Sequence, residues 1–372
     1  MTTWSLSTNI YSEPDSLQHL SELHGQRILI VCDPFLKDSD NLNYVISLMD
    51  GDNQVTTYTD VVPDPPISHV VKGIDFAESF APTVIVAIGG GSAIDLSKGI
   101  SYFARKLKGM SIEKFIAIPT TSGTGSEVTS FAVLTDTTTQ TKYPLVDPVI
   151  APDEAILTPL FVRTSPAKVT AYSGMDVLVH ALEAYVATGA TAFTDALAEK
   201  AIERVFDDLP ICASGRASDD QRMVMHEASS MAGIAFNNAG LGITHAMAHQ
   251  LGGQFHVPHG LANSMLLPYV LAFNITSCMD VASKYAQLAI KLDLADLNAS
   301  EDEACRALIA AVVSLAQRVG CPMNLSEFGV SHQEACQYLD TMVTKALQDM
   351  TYFTNPYPAS AEDLKGLYQH II

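Results

Sequence analysis

Over the first 150 or so residues, short runs that are apolar throughout alternate with stretches of helical period. "RILIVCD" (27–33), "TVIVAIGGG" (83–91) and "FIAIPTT" (115–121) each run into Gly, Pro or Asp punctuation and read as buried strands. Strands that are apolar throughout, rather than at alternate positions, are what a parallel sheet covered on both faces requires. Helical patterns such as "DLSKGISYFARKL" lie between them. The alternation predicts a Rossmann-like, doubly wound α/β domain over residues 1–160, with ligands at the carboxyl ends of its strands.

Beyond about residue 160 the strand pattern stops. "TSPAKVTAYSGMDVLVHALEAYV" opens with Ser165 as an N-cap and Pro166 at the first helical position. Helical periods follow at 194–209, 219–237, 244–251, 260–275, 279–292, 301–319, 331–349 and 360–370. They predict an all-helical domain over 161–372, with no internal repeat, low-complexity segment or long linker.

Length and charge narrow the function. At 372 residues the chain exceeds one typical core, which agrees with two domains. A net charge of −20 argues against nucleic acid or an anionic membrane as partner, since phosphate backbones need clustered Lys and Arg. The longest apolar stretches, such as "LANSMLLPYVLAF", are too short to span a bilayer. The start, "MTTWSLSTNIYSEPDSL", shows neither the basic nor the apolar region of a secretory signal. Six scattered cysteines form no C-x-x-C and no disulfide framework. A cytoplasmic globular enzyme with reduced thiols is the expectation.

Four stretches carry candidate chemistry. In "GMDVLVHALEAYV" (174–186), Asp176, His180 and Glu183 fall at i, i+4, i+7 on one stripe of an otherwise apolar helix. A buried carboxylate there needs a partner or a metal, and taken alone the stretch reads as readily as an internal Asp–His pair. In "THAMAHQLGGQFHVPHGLANSMLLP" (244–268), four histidines (245, 249, 256 and 259) lie in an apolar setting, with Gly252–Gly253 ending the first helix. That density points to metal or proton-transfer chemistry, and with Asp176 and His180 it can furnish a site suited to Fe²⁺ or Zn²⁺.

The other two are loops after strands. "VIVAIGGGSAIDLSKGI" sets Gly89, Gly90 and Gly91 before a helix, with Ser92 and Asp95 in a capping pattern, and offers phosphate free N–H groups and a positive dipole end. Its spacing is not G-x-G-x-x-G, and a plain tight turn is the alternative. "PTTSGTGSEVTS" (119–130) places Thr120, Thr121 and Thr124 where they can surround a nucleotide, or form an ordinary polar loop. Lys98 and Lys142 are candidates to offset an anionic cofactor. Asp33, closing the first strand, reads either as an Asp-Pro turn or as the acceptor of an adenosine ribose diol, which favours NAD over NADP.

Together "GGGSAIDLSK", "IPTTSGTGSEVT", "GMDVLVHALEAYV" and "HAMAHQLGGQFHVPHGLAN" resemble the iron-dependent (group III) alcohol dehydrogenase family, over nearly the whole chain and in the family's order. Within it, "FTDALAEKA" and "AHQLGGQFHVPHGLAN" are most similar to the 1-propanol dehydrogenases of bacterial propanediol utilisation. The resemblance implies the dehydroquinate-synthase-like, iron-alcohol-dehydrogenase fold. It implies metal ligands at Asp176, His180, His245 and His259, for Fe²⁺ as a rule and Zn²⁺ as the alternative. Glu183 is implied as a partner of a ligand. His249 is implied as the catalytic residue beside the nicotinamide and substrate. NAD(H) contacts are implied from Asp33, Gly89, Gly90, Gly91, Ser92, Asp95, Thr120, Thr121, Thr124 and Lys142. Phe236 falls where the family has a pocket aromatic, and Phe131 would join it. The sequence departs from the family pattern at Asp64 (often Asn), at "EPDSL" in place of a glycine-rich turn, and at Thr158 (usually Asp).

The implied activity is reversible reduction of a short-chain aldehyde, propionaldehyde or similar, with NADH. An apolar pocket favours it over hydroxylated substrates of lactaldehyde or 1,3-propanediol type. The resemblance also implies a homo-oligomer and, through the subfamily, a place among propanediol-utilisation enzymes in a bacterial microcompartment. Two rivals stand beside it. A dehydroquinate-synthase-like lyase would use NAD only transiently, but needs a basic pocket the helical half does not show. A non-catalytic scaffold would have no need of the full ligand set.

Overall fold

The computed structural model describes residues 4–138 and 141–372, with Thr141 given by its backbone alone. By their internal contacts these residues divide into two compact units, and the division is not a single cut near 160. One unit holds Ser5–Ser165 together with Ser218–Ser230; the other holds Trp4, Pro166–Ala217 and Met231–Ile372.

The first unit is the α/β one. Its strands are β1 (Asn9–Tyr11), β2 (Arg27–Cys32), β3 (Gln54–Tyr58), β4 (Val84–Gly89), β5 (Lys114–Pro119), β6 (Phe131–Asp136), β7 (Thr141–Val146) and β8 (Glu154–Ile156). Its helices are α1 (Asp40–Leu48), α2 (Ile67–Phe80), α3 (Gly91–Lys108) and the short α4 (Pro159–Val162). Six strands among the described residues form one parallel sheet in the order β1-β8-β5-β4-β2-β3, while β6 and β7 make an antiparallel hairpin. The three strands expected from the pattern are β2, β4 and β5, which lie inside the sheet. Both of their faces are buried: Leu29, Val31, Ile85 and Ala87 pack with Val70, Ile74 and Ile100 on one side. Ile28, Ile30, Val86 and Ile88 pack with Leu42 and Val45 on the other. From β2 the chain steps to β3 on one side and then crosses to β4 on the other. The strand order therefore reverses between β2 and β4, where an open α/β sheet receives its ligand.

The second unit is helical: α5 (Ala167–Val186), α6 (Ala192–Ala213), α8 (Ile243–Phe255), α9 (His259–Ser277), α10 (Met279–Lys291), α11 (Glu301–Arg318), α12 (Leu325–Phe328), α13 (His332–Ala346) and α14 (Ala361–Gln369). The intervening α7 (Asp219–Ala239) gives its first part to the α/β unit and its remainder to the helical one. Several helix ends differ from expectation, α6 running on to Ala213 and α13 stopping at Ala346, and two of the differences have a local cause. The cap of α5 is Pro166, one residue after Ser165, and no side chain caps it. The helix expected to end at Gly252–Gly253 runs on to Phe255, because His256 itself takes the left-handed conformation (φ 55°) that stops it. No helix among the described residues is long and apolar enough to cross a membrane.

Candidate metal centre

α5 is buried from Gly174 to Val186 on every face. Gly174 lets α6 approach, since a Cβ there would collide with Leu209. Gly260, in the first turn of α9, lies against the backbone carbonyl of Tyr172, where a Cβ has no room. That contact seats His259 beside Asp176. The structure brings together Asp176, His180, His245 and His259, one prospective ligand atom from each lying within 4.8 Å of all the others.

The separations inside this group are too long for hydrogen bonds. Asp176 Oδ1 is 3.9 Å from His245 Nε2 and 3.6 Å from His259 Nε2, and Asp176 Oδ2 is 4.0 Å from His180 Nδ1. They suit donors arranged around an ion, since bonds of about 2.1 Å hold tetrahedral ligands roughly 3.4 Å apart. His245 Nε2 is buried with no hydrogen-bond partner among the described residues, an uncompensated cost unless a cation takes its lone pair. Burial pushes the Asp176 carboxyl up to about 6, and an ion at this point would reverse that. The residues fit a divalent metal.

Glu183 supplies the orientation. Its Oε2 lies 2.6 Å from His245 Nδ1, turning Nε2 of that ring toward Asp176. Burial alone would lower His245, but the carboxylates of Glu183 and Asp176 together outweigh it and hold the ring above the usual histidine range. The same carboxylate accepts the N–H groups of Gly242 (3.0 Å) and Thr244 (2.7 Å) in the first turn of α8. Asn355 Oδ1 takes the intervening N–H, that of Ile243 (3.2 Å). Side chains from elsewhere in the chain therefore satisfy the start of α8.

His249 stands apart from the group of four. Its ring stacks on His259 at 5.4 Å between centroids, and its Nδ1 is 2.8 Å from Asp349 Oδ2. The sequence reading did not include Asp349, Asn355 or Asn263, whose Nδ2 donates to Asp176 Oδ1 (2.7 Å). Phe236 stacks on His180 at 4.6 Å.

Of the expected cofactor residues, Asp33, Gly89, Gly90, Gly91, Thr120, Thr121 and Thr124 gather at the carboxyl edge of the sheet within the α/β unit. Asp33 follows β2, and its Oδ2 accepts the Gly90 N–H (3.3 Å). Burial pushes its carboxyl up, with the Gly90 N–H pulling the other way. Gly89 leaves no room for a Cβ between Ala93 and Asp33. Thr120 N–H donates to Gly89 O (3.0 Å), joining the two loops. Thr121 and Thr124 border Gly90 and Gly91, while Ser92 lies in the half-buried first turn of α3. Lys142 Nζ pairs with Asp64 Oδ1 (2.7 Å), and Asp64 takes the left-handed φ of 51° that Asn and Asp tolerate. Phe131 is half-buried at the start of β6.

Two readings are corrected. Ser92 and Asp95 do not cap α3: that helix starts at Gly91 after Gly90, so Asp95 lies beyond its first turn. Both Asp95 oxygens are taken inside the unit, by Ser126 Oγ (2.6 Å) and Val133 N–H (2.9 Å). Lys98 is wholly buried and bonded internally, so its charge is not presented to a cofactor. His226, left without a role in the sequence reading, is a buried histidine bonded to Ser122 Oγ (3.1 Å).

Known proteins are similar to this chain in sequence and in fold. Residues 7–159 match the family described as iron-containing alcohol dehydrogenase, and residues 170–372 match the Fe-containing alcohol dehydrogenase family, C-terminal. The chain is 44% identical to the 1-propanol dehydrogenase PduQ of Citrobacter freundii over 372 residues, the whole of both chains. Its structure superposes on that of a 1,3-propanediol oxidoreductase with a TM-score of 0.93 at 31% identity, covering all of both chains. A sulfoacetaldehyde reductase from Bifidobacterium kashiwanohense in complex with NAD+ superposes with a TM-score of 0.86 at 26% identity, over 100% of this chain and 98% of that one. Matched along nearly its whole length by both family descriptions, and carrying one carboxylate and three imidazoles gathered as a metal would need them, the chain belongs to the iron-containing alcohol dehydrogenase family.

Proposed function

We propose that the protein reduces a short-chain aldehyde, propionaldehyde or one of similar size, reversibly to its primary alcohol with NADH. The observation that carries the reading is the group of buried Asp176, His180 and His245 with half-buried His259 in a chain of this family. The 44% identity to a 1-propanol dehydrogenase supports the substrate size, and the NAD+ complex of a structural neighbour supports the cofactor. When bound, Fe²⁺ (Zn²⁺ as the alternative) supplies Lewis acidity toward the carbonyl oxygen, and NADH supplies the reducing equivalent.

The chain's own groups do the rest. Asp176 contributes the negative charge among three imidazoles, and Glu183 keeps His245 in one tautomer and orientation. His249 is engaged at Nδ1 by Asp349, so Nε2 is the atom that exchanges a proton with the product oxygen. Phe236, against His180, favours apolar groups beside that ligand. Asp33 selects NAD by accepting from a ribose diol and repelling a 2′-phosphate. The subfamily resemblance extends the proposal to a homo-oligomer in the cytoplasm, inside a microcompartment beside other propanediol-utilisation enzymes.

The test is anaerobic oxidation of NADH, with NADPH in parallel, by apoprotein reloaded with Fe²⁺ or Zn²⁺ in the presence of propionaldehyde. Metal-dependent turnover that prefers NADH, and that His259→Ala abolishes, is the expected result. Folded, metal-loaded protein that consumes neither dinucleotide would overturn the reading.

A further inference from the structure

The loop 119–130 is anchored from inside the α/β unit by a buried polar cluster. Lys98, on α3, is 0% exposed, and its ammonium group donates to Ser126 Oγ (2.9 Å), Thr129 Oγ1 (3.1 Å) and Phe131 O (2.7 Å). All three donors are used, and every acceptor lies on the far limb of the loop or at the start of β6. Asp95, three residues earlier on the same helix face, receives Ser126 Oγ and Val133 N–H. Glu127, also buried, accepts from Ser230 Oγ (2.7 Å). Burial pushes Lys98 down to about 8, against the pull of Asp95 and Glu127.

A side chain such as Met would fill this volume without the cost of stripping water from an ammonium group, so stability alone does not account for a lysine here. What the lysine adds is a fixed three-point geometry. α3 also carries Gly90 and Gly91 at its start, and the two loops already touch there. A Cβ at Gly91 would come within 2.8 Å of Thr124 Cγ2, and one at Gly90 within 3.4 Å of Thr121 Oγ1. A shift of the second loop by a few tenths of an ångström therefore changes the groove between them.

We propose that Lys98 is a positioning residue for the dinucleotide: by fixing loop 119–130 against Gly90–Gly91 it sets the affinity for NAD(H) without touching it. This rests on the dinucleotide reading above. The test is fluorescence titration of metal-loaded protein with NADH, beside steady-state kinetics, for Lys98→Met, Thr129→Val and Thr129→Ser. Thr129→Val removes one of the three acceptors with little change of shape, and Thr129→Ser restores it.

The expected result is a Kd for NADH raised about tenfold in Lys98→Met and severalfold in Thr129→Val, in line with losing hydrogen bonds to a buried charge. Thr129→Ser should match the wild type, and kcat at saturating NADH, KM for the aldehyde and metal content should be unchanged throughout. A lowered melting temperature with an unchanged Kd in folded Thr129→Val would overturn the proposal and leave Lys98 a purely structural residue. Wild-type protein that binds neither NADH nor NADPH would overturn the dinucleotide reading itself. Weakening confined to the variants keeps the two apart.

Discussion

Glu183 shows how much one side chain can settle. It orients His245 and, through the same two oxygens, closes the start of α8. Glu183→Gln keeps the shape but substitutes an N–H donor where an acceptor is needed, so one of these contacts must break. The affinity for metal should fall by about 10–100-fold, as measured by competition with a chelator. Unchanged affinity would mean that the His245 ring is held by packing alone. The stripe Asp176–His180–Glu183 was legible because the three share a helix face, and an acid on an apolar helix stands out. Asp349 and Asn355 were not legible. They lie about 100 residues from the groups they bind, flanking the short 3-10 turn Met350–Thr354, with Asp349 three residues beyond the true end of a helix expected to run to 349, and only tertiary structure joins them to α8.

Among elements, β2, β4 and β5 were readable because burial on both faces makes them apolar throughout. β1 and β8 have only three residues each, too few for a pattern, and β3 carries a mixed, half-buried pattern at the other sheet edge. The hairpin β6–β7 departs from the parallel rule that predicted the rest. Helix boundaries failed where a single residue adopted an uncommon conformation, as His256 does. The approach of α9 to α5 likewise hangs on Gly260, which sequence alone marks only as a glycine after a histidine. Gly260→Ala forces the first turn of α9 off the Tyr172 carbonyl and takes His259 with it. A loss of about 1–3 kcal/mol in denaturant unfolding, together with weaker metal retention, is the expected outcome. A variant as stable and as metal-replete as the parent would show that the two helices can slide apart at no cost.

For the molecule as a whole, His226 makes acid sensitivity a property of the fold. Burial lowers its pKa to about 4, from 6.5 in the unfolded chain. Below pH 6.5 the unfolded chain binds a proton that the folded one refuses, so this contribution is complete above pH 6.5 and shrinks as pH falls toward 4. Over that window it amounts to about 3 kcal/mol. Urea midpoints followed from about pH 7.5 to 4.5 should therefore drop less steeply in His226→Asn than in the parent, and parallel slopes would exclude His226 as a source.

The same histidine belongs to Ser218–Ser230, the thirteen residues by which the chain re-enters the α/β unit after building α5 and α6. The α/β unit is consequently not a cassette. A gene fragment stopped at codon 165 would encode the whole parallel sheet, yet omit Ser230, the partner of the buried Glu127, and His226, the partner of Ser122. Recombination that exchanges the α/β unit intact must therefore carry two separate stretches of the gene, the long one and the thirteen codons for 218–230.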